Sequence, residues 1–172
     1  MKNLGMKFNF KRFVFFIFGG AILGLIIFNI PKTLDAEGLK QFNRDLKNYN
    51  VKLQIFNPAE EVIADFMVSL ADDDYKKMYG LMNLKEMPKN YGMLFDFDKT
   101  QVVTMWMKNT LMPLDMLFID EHDVIVNIKH DAVVQSLEII SSVKPVKKVL
   151  EINGGLSKKL KIEIGYKIKT SR

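Results

Sequence analysis

The sequence contains no cysteine, two histidines and a single tryptophan in 172 residues. Without cysteine there is no disulfide framework, no thiolate zinc site and no cysteine nucleophile. The compartment stays open, because exported chains also dispense with cysteine. His122 and His130 have no histidine four residues away, the spacing a helical metal site needs, and both read as exposed surface residues. No G-x-S-x-G elbow, Walker loop or G-x-G-x-x-G fingerprint occurs. Asp96-Phe97-Asp98-Lys99-Thr100 opens like a calcium loop but lacks the glycine at position six and the acid at position twelve. These motifs imply no cofactor and no metal. The eleven methionines read as adaptable core fillers.

Acid is missing from the first thirty residues, which carry Lys2, Lys7, Lys11 and Arg12. The whole chain has a net charge of +5 from 25 basic and 20 acidic residues. Removing those four cations leaves 21 basic against 20 acidic residues, or +1, on 31–172. A domain this close to neutral lacks the broad positive field that nucleic-acid binding uses. Aromatic residues are not interleaved with basic ones either, so no nucleic-acid partner is expected.

Residues 1–12 therefore read as a basic cytoplasmic leader. Residues 13–30, FVFFIFGGAILGLIIFNI, form an apolar run that as a helix spans about 27 Å, close to the hydrocarbon thickness of a bilayer. Positive charge before the run places the rest of the chain across the membrane. The run predicts a transmembrane signal anchor, with a cleaved signal peptide and a soluble exported product as the alternative. Residues 31–50 read as an amphipathic helical linker, with Leu39, Phe42, Leu46 and Tyr49 spaced by three and four.

From residue 51 onward the period becomes two. VKLQIF (51–56), FMVSLA (66–71), MLFDF (93–97), VVTMWMK (102–108), LDMLFID (114–120), VIVNI (124–128), VKKVLEI (146–152) and a last run around 166–169 all read as strands. Asp72, Asp73 and Asp74 open a short helical segment, where acids serve as caps and complement the helix dipole. Asp120 to Asp123 forms a tight hairpin, and Ser157 to Leu160 one helical turn. Residues 51–172 thus predict a single mainly β domain, a compact sandwich or barrel with a few short helices.

The stretch TMWMKNTLMPLDMLFID (104–120) sets polar residues inside an apolar run. Strand alternation puts Trp106 and Lys108 on one face. Asp115, flanked by Leu114 and Met116, is expected to be partly buried and to need a cation or several N–H donors. Lys108 and the amides of 109–112 are the candidate partners. Two readings follow. Trp106, Lys108, Asn109, Thr110 and Asp115 form a shallow ligand pocket, or the polar residues satisfy the backbone of a corner.

The motifs Tyr79-Gly80-Leu81-Met82, Gly92-Met93-Leu94-Phe95, Trp106-Met107-Lys108-Asn109-Thr110, Pro113-Leu114-Asp115, Phe118-Ile119-Asp120, Val149-Leu150-Glu151, Asn153-Gly154-Gly155 and Ile164-Gly165 occur in this order. Over residues 62–169 the chain resembles the family called domain of unknown function 192. That resemblance implies a compact β-rich domain, often exported or membrane-attached in bacteria and archaea, and no assigned reaction. The chain departs from the family pattern at the 120–123 hairpin, which lacks glycine, and at 129–145, which lacks cysteine.

The sequence supports three expectations. The first is a membrane-anchored extracytoplasmic domain, held by 13–30, that binds a small ligand or envelope component. The second is an envelope glycan hydrolase with Asp115 as acid or base and Glu151 or Asp96 as second carboxylate. The third is a non-catalytic interaction protein.

Overall fold

The computed structural model describes residues 50–171. The leader, the 13–30 span and nearly all of the 31–50 linker lie outside the described residues. Among the described residues no helix is long and apolar enough to cross a membrane.

The described elements run β1 (Val51–Phe56), β2 (Val62–Ala71), α1 (Asp74–Tyr79), β3 (Tyr91–Gln101), β4 (Thr104–Met105), β5 (Leu114–Ile119), β6 (Ile125–Ala132), β7 (Ile140–Ser141), β8 (Val146–Asn153), α2 (Leu156–Lys159) and β9 (Lys167–Ser171). Seven strands form one sheet in the order β6-β5-β8-β3-β2-β1-β9, while β4 and β7 pair separately. Only β2 and β3 run parallel; the other pairs in the sheet are antiparallel. A parallel pair needs a crossover, supplied here by α1 and the segment after it. Asp73 caps α1 by accepting from the Lys76 amide at 2.7 Å, and that bond holds its carboxyl below the usual carboxylate range. Of the acidic trio, Asp73 caps the helix, Asp74 lies in its first turn and Asp72 pairs with Lys76 at 2.8 Å.

Backbone bonds join the two edge strands at one end. Ile125 N donates to Tyr166 O at 2.8 Å, and Ile168 N donates to Asp123 O at 2.9 Å. A single bridge, Val124 to Lys167, thus joins one end of each edge and brings the two ends of the sheet around one core. Leu53, Ile55, Phe66, Val68, Leu94, Leu117, Leu150 and Ile152 fill that inner face, with Leu156 and Ile162 against it.

The outer face is also covered, which explains why all six residues of β5 are buried. Cross-strand partners share a face. The pairings Met93–Glu151–Met116 and Phe95–Val149–Phe118 therefore make two rows across β3, β8 and β5. The segment between α1 and β3 lies on this face. A Cβ on Gly80 would come 3.2 Å from the Phe95 ring, and Asn153 Nδ2 donates to Met87 O at 3.1 Å.

One sequence expectation changes. Residues 102–108 do not form one strand: β4 ends at Met105, and a turn follows in which Thr110 N donates to Met107 O at 3.0 Å. The predicted hairpin at 120–123 forms. Asp120 Oδ1 accepts from His122 N and Val124 N, each at 2.9 Å. Asp123 takes φ 62° there, a left-handed conformation that aspartate tolerates where glycine is the usual choice.

Candidate functional site

The five residues singled out in the sequence separate into two groups. Asp115 is fully buried. Its parity along β5 is that of Leu117 and Ile119, so it faces inward at the strand end. Oδ1 accepts from Asp131 N at 2.8 Å and Gly155 N at 2.9 Å. Oδ2 accepts from Ser157 N at 2.8 Å and Ser157 Oγ at 2.6 Å. Four donors satisfy a buried carboxylate without a counter-charge. The expected partners, Lys108 and the 109–112 amides, are replaced by groups 16, 40 and 42 residues away in sequence. Asp115 also caps the start of α2, whose own N-cap, Gly155, offers no side chain.

Two glycines make room for this arrangement. A Cβ at Gly154 would meet Pro113 Cβ at 2.8 Å, and Gly155 sits at φ +73°. His130 corrects a second expectation: it is half-buried, with Nδ1 2.8 Å from Ser157 Oγ. His122 is exposed, as expected.

Trp106, Lys108 and Asn109 are exposed beside the small sheet. Lys108 Nζ lies 5.0 Å from the Trp106 ring centroid, a cation–π contact made in the turn after β4 and not along a strand face. Asn109 adopts φ 54°, which allows the turn. Its carbonyl accepts from Asn83 N at 2.8 Å, tying the corner to the 81–90 segment. Thr110 is buried; its hydroxyl donates to Lys108 O at 3.3 Å and its carbonyl accepts from Gln135 N at 3.1 Å. Thr110 and Asp115 thus support backbone, while Trp106, Lys108 and Asn109 face solvent.

The carboxylates of the glycosidase reading do not converge. Asp115 faces inward and Glu151 outward, on opposite sides of the sheet. Asp96 pairs with Lys148, four residues along β8 from Ile152, the partner of Asp115. Four residues of strand separate them by about 13 Å, beyond the range that glycosidases use. Asp96 is instead beside Lys147 Nζ at 3.4 Å. Among the described residues, no three His, Asp or Glu side chains group as metal ligands.

Glu151 is the residue whose environment sequence reading undervalued. It is 4% exposed, and among the described residues no hydrogen bond or ion pair reaches its carboxyl. Burial pushes its pKa up to about 8. Its neighbours across the strands, Met93 and Met116, are apolar. The signal was an acid at an outward position of a strand that is apolar on both sides.

Comparison with known proteins follows the same boundaries. A solved protein from Sinorhizobium meliloti 1021, described as a candidate transcription regulator, is 40% identical, with a TM-score of 0.68 over 71% of this chain and 95% of its own. A protein of unknown function from Novosphingobium aromaticivorans DSM 12444 is 30% identical, with a TM-score of 0.65 over 69% of this chain and 83% of its own. No curated protein matches. The model of the family DUF192, described as an uncharacterised ACR, matches residues 55–170. The chain belongs to the DUF192 family.

Proposed function

We propose that the chain is a membrane-tethered domain, held outside the cytoplasm by residues 13–30, that binds an envelope component through the rim of Trp106, Lys108 and Asn109. One observation carries this reading: Trp106 is 45% exposed with Lys108 over its ring, while the neighbouring polar residues Thr110 and Asp115 are committed to backbone. An exposed aromatic with a cation over its face is a recognition surface, and the fold does not need it for its core. The leader supports the location through its charge and apolar length. A catalytic reading loses support because its carboxylates lie apart. The description of the Sinorhizobium relative would bring nucleic acid as a ligand, but the +1 balance of 31–172 gives that no electrostatic basis.

The test has two parts. A C-terminal alkaline phosphatase fusion is expected to be active and a fluorescent-protein fusion dark; the reverse pattern refutes the location. Mass spectrometry of material co-purifying with the full chain is expected to show an envelope lipid or glycan that Trp106→Ala/Lys108→Ala loses. Equal recovery with the variant refutes the rim as the binding surface.

A further inference from the structure

Most of the exposed large apolar side chains among the described residues belong to two segments. Val102, Trp106 and Leu111 come from 102–111; Val133, Val134, Leu137, Ile139 and Val143 come from 133–143. Only Val62, Tyr75, Met78 and Ile164 lie elsewhere. Leu137 is 68% exposed and Ile139 69%.

The small sheet brings these segments together. Thr104 pairs with Ser141 and Met105 with Ile140; Trp106 and Ile139 each directly adjoin the last paired residues. Met107 N donates to Ser136 O at 3.1 Å, and Gln135 N to Thr110 O at 3.1 Å. These backbone bonds hold 135–136 beside 107–110, so the exposed apolar side chains of the two segments share one region of the surface. Such a patch marks an interaction surface, because isolated soluble domains keep their exposed apolar groups scattered.

The backbone of the patch is held firmly. Val143 is 73% exposed at φ 65°, a costly conformation for a β-branched residue. Ser142 Oγ fixes it by accepting from Val103 N at 3.1 Å and donating to Lys144 O at 2.7 Å. The fold thus spends strain where it presents an aliphatic group to the exterior.

We infer that this patch seats on the lipid bilayer, with Leu137, Ile139 and Val133 entering the acyl boundary and Trp106 and Lys108 at headgroup level. The inference rests on the proposed tether and names the envelope component as membrane lipid. Its chemistry favours lipid over a protein partner. Aliphatic residues bordered by tryptophan and lysine follow the layering of a bilayer interface, where an amphipathic ring sits among headgroups and a lysine stem reaches out to phosphate. Within the two segments Lys108 is balanced by Glu138, and Lys144 follows directly after the second, so no net negative charge opposes an anionic surface.

Distance supports the same occupant. Twenty residues, 31–50, separate the apolar run from β1. A tether of only twenty residues bounds how far the domain can stand from the bilayer, so the patch meets lipid at high effective concentration.

The experiment uses Trp106, the only tryptophan in the whole sequence, as the probe. The full chain is placed in phosphatidylcholine–phosphatidylglycerol nanodiscs, with phosphatidylcholine brominated near the top of the acyl chains. Docking predicts strong quenching of Trp106 emission, lost in Leu137→Ser/Ile139→Ser. That variant changes exposed positions and should keep its circular dichroism spectrum. Unquenched emission in a fully incorporated chain overturns the docking. So does blue-shifted emission that bromine cannot quench, since a second copy or another protein segment would then cover the patch. Alkaline carbonate extraction separates the two proposals. A carbonate-resistant, unquenched chain keeps the tether and loses the docking. A carbonate-extractable chain that is quenched loses the tether and keeps the docking.

Discussion

Ser157 stands between Asp115 and His130: its hydroxyl donates to Asp115 Oδ2 at 2.6 Å and lies 2.8 Å from His130 Nδ1. The three residue types of a hydrolytic triad are present, but in the wrong order. In a triad the histidine holds the hydroxyl proton and the carboxylate orients the histidine. Here the carboxylate holds the hydroxyl proton, and the histidine is left to donate to the hydroxyl oxygen. Ser157 is also fully buried. The chain of bonds fastens β5, β6 and α2 together and does not activate a nucleophile.

Asp115→Asn is therefore a stability variant. An amide nitrogen would face two N–H donors or the serine hydroxyl, leaving at least one donor unsatisfied. The expected loss is about 2–4 kcal/mol, from broken charge-assisted bonds and buried unpaired groups. Ser157→Ala removes the bonds to Asp115 Oδ2 and to His130 Nδ1 and should cost about 1–3 kcal/mol. Lys108→Met should change stability by about 1 kcal/mol or less, because an exposed cation–π contact contributes no more than that. Urea unfolding followed by circular dichroism measures all three. A Lys108 effect as large as that of Asp115 would place Lys108 in the supporting network and weaken its assignment to the rim.

Gly92 predicts a packing defect of a different kind. A Cβ there would lie 2.6 Å from the Glu151 carbonyl oxygen and 3.2 Å from Ile152 Cγ2. The first contact is to backbone in the β3–β8 ladder and cannot be relieved by a rotamer change. Gly92→Ala should cost about 1–3 kcal/mol, the range for overpacking. Thermal unfolding would show this as a lower midpoint with native secondary structure retained. An unchanged midpoint would mean that the ladder gives way easily at Gly92.

Much of the fold was legible because the main-sheet strands alternate or are uniformly apolar. VKLQIF matches β1 residue for residue, and LDMLFID overruns β5 by only its last residue. What stayed hidden depends on distant contacts. β7 is two residues of mixed polarity inside 129–145, too short to show a period. The parallel pairing of β2 with β3 leaves no local trace. Asp115 was read as partly buried and in need of donors; it is fully buried, and its donors come from elements far along the chain that no local reading reaches. The Trp106–Lys108 pair was legible because it needs only two residues close together in the chain. The apolar patch was not, since half of it comes from the segment whose structure the sequence left open.

Glu151 carries the pH dependence. Its folded pKa is raised to about 8 by burial, against 4.5 as its ordinary value. The native state therefore keeps the proton over a range in which the unfolded chain has released it. The stabilisation this represents is fully present below pH 4.5. It declines by about 1 kcal/mol per pH unit above that and is gone once the folded group ionises near pH 8. Glu151→Gln removes the titration and keeps the shape. Wild type should lose urea stability between pH 5 and pH 8 (either side of neutral, within the window set by those two values). The variant should show a flatter profile, and at the alkaline end it should match or exceed wild type. Parallel profiles for the two proteins would show that Glu151 has an ordinary pKa, with water or a cation reaching its carboxyl between Met93 and Met116. That outcome would turn the outer face of β8 from a sealed layer into a second place to look for a ligand.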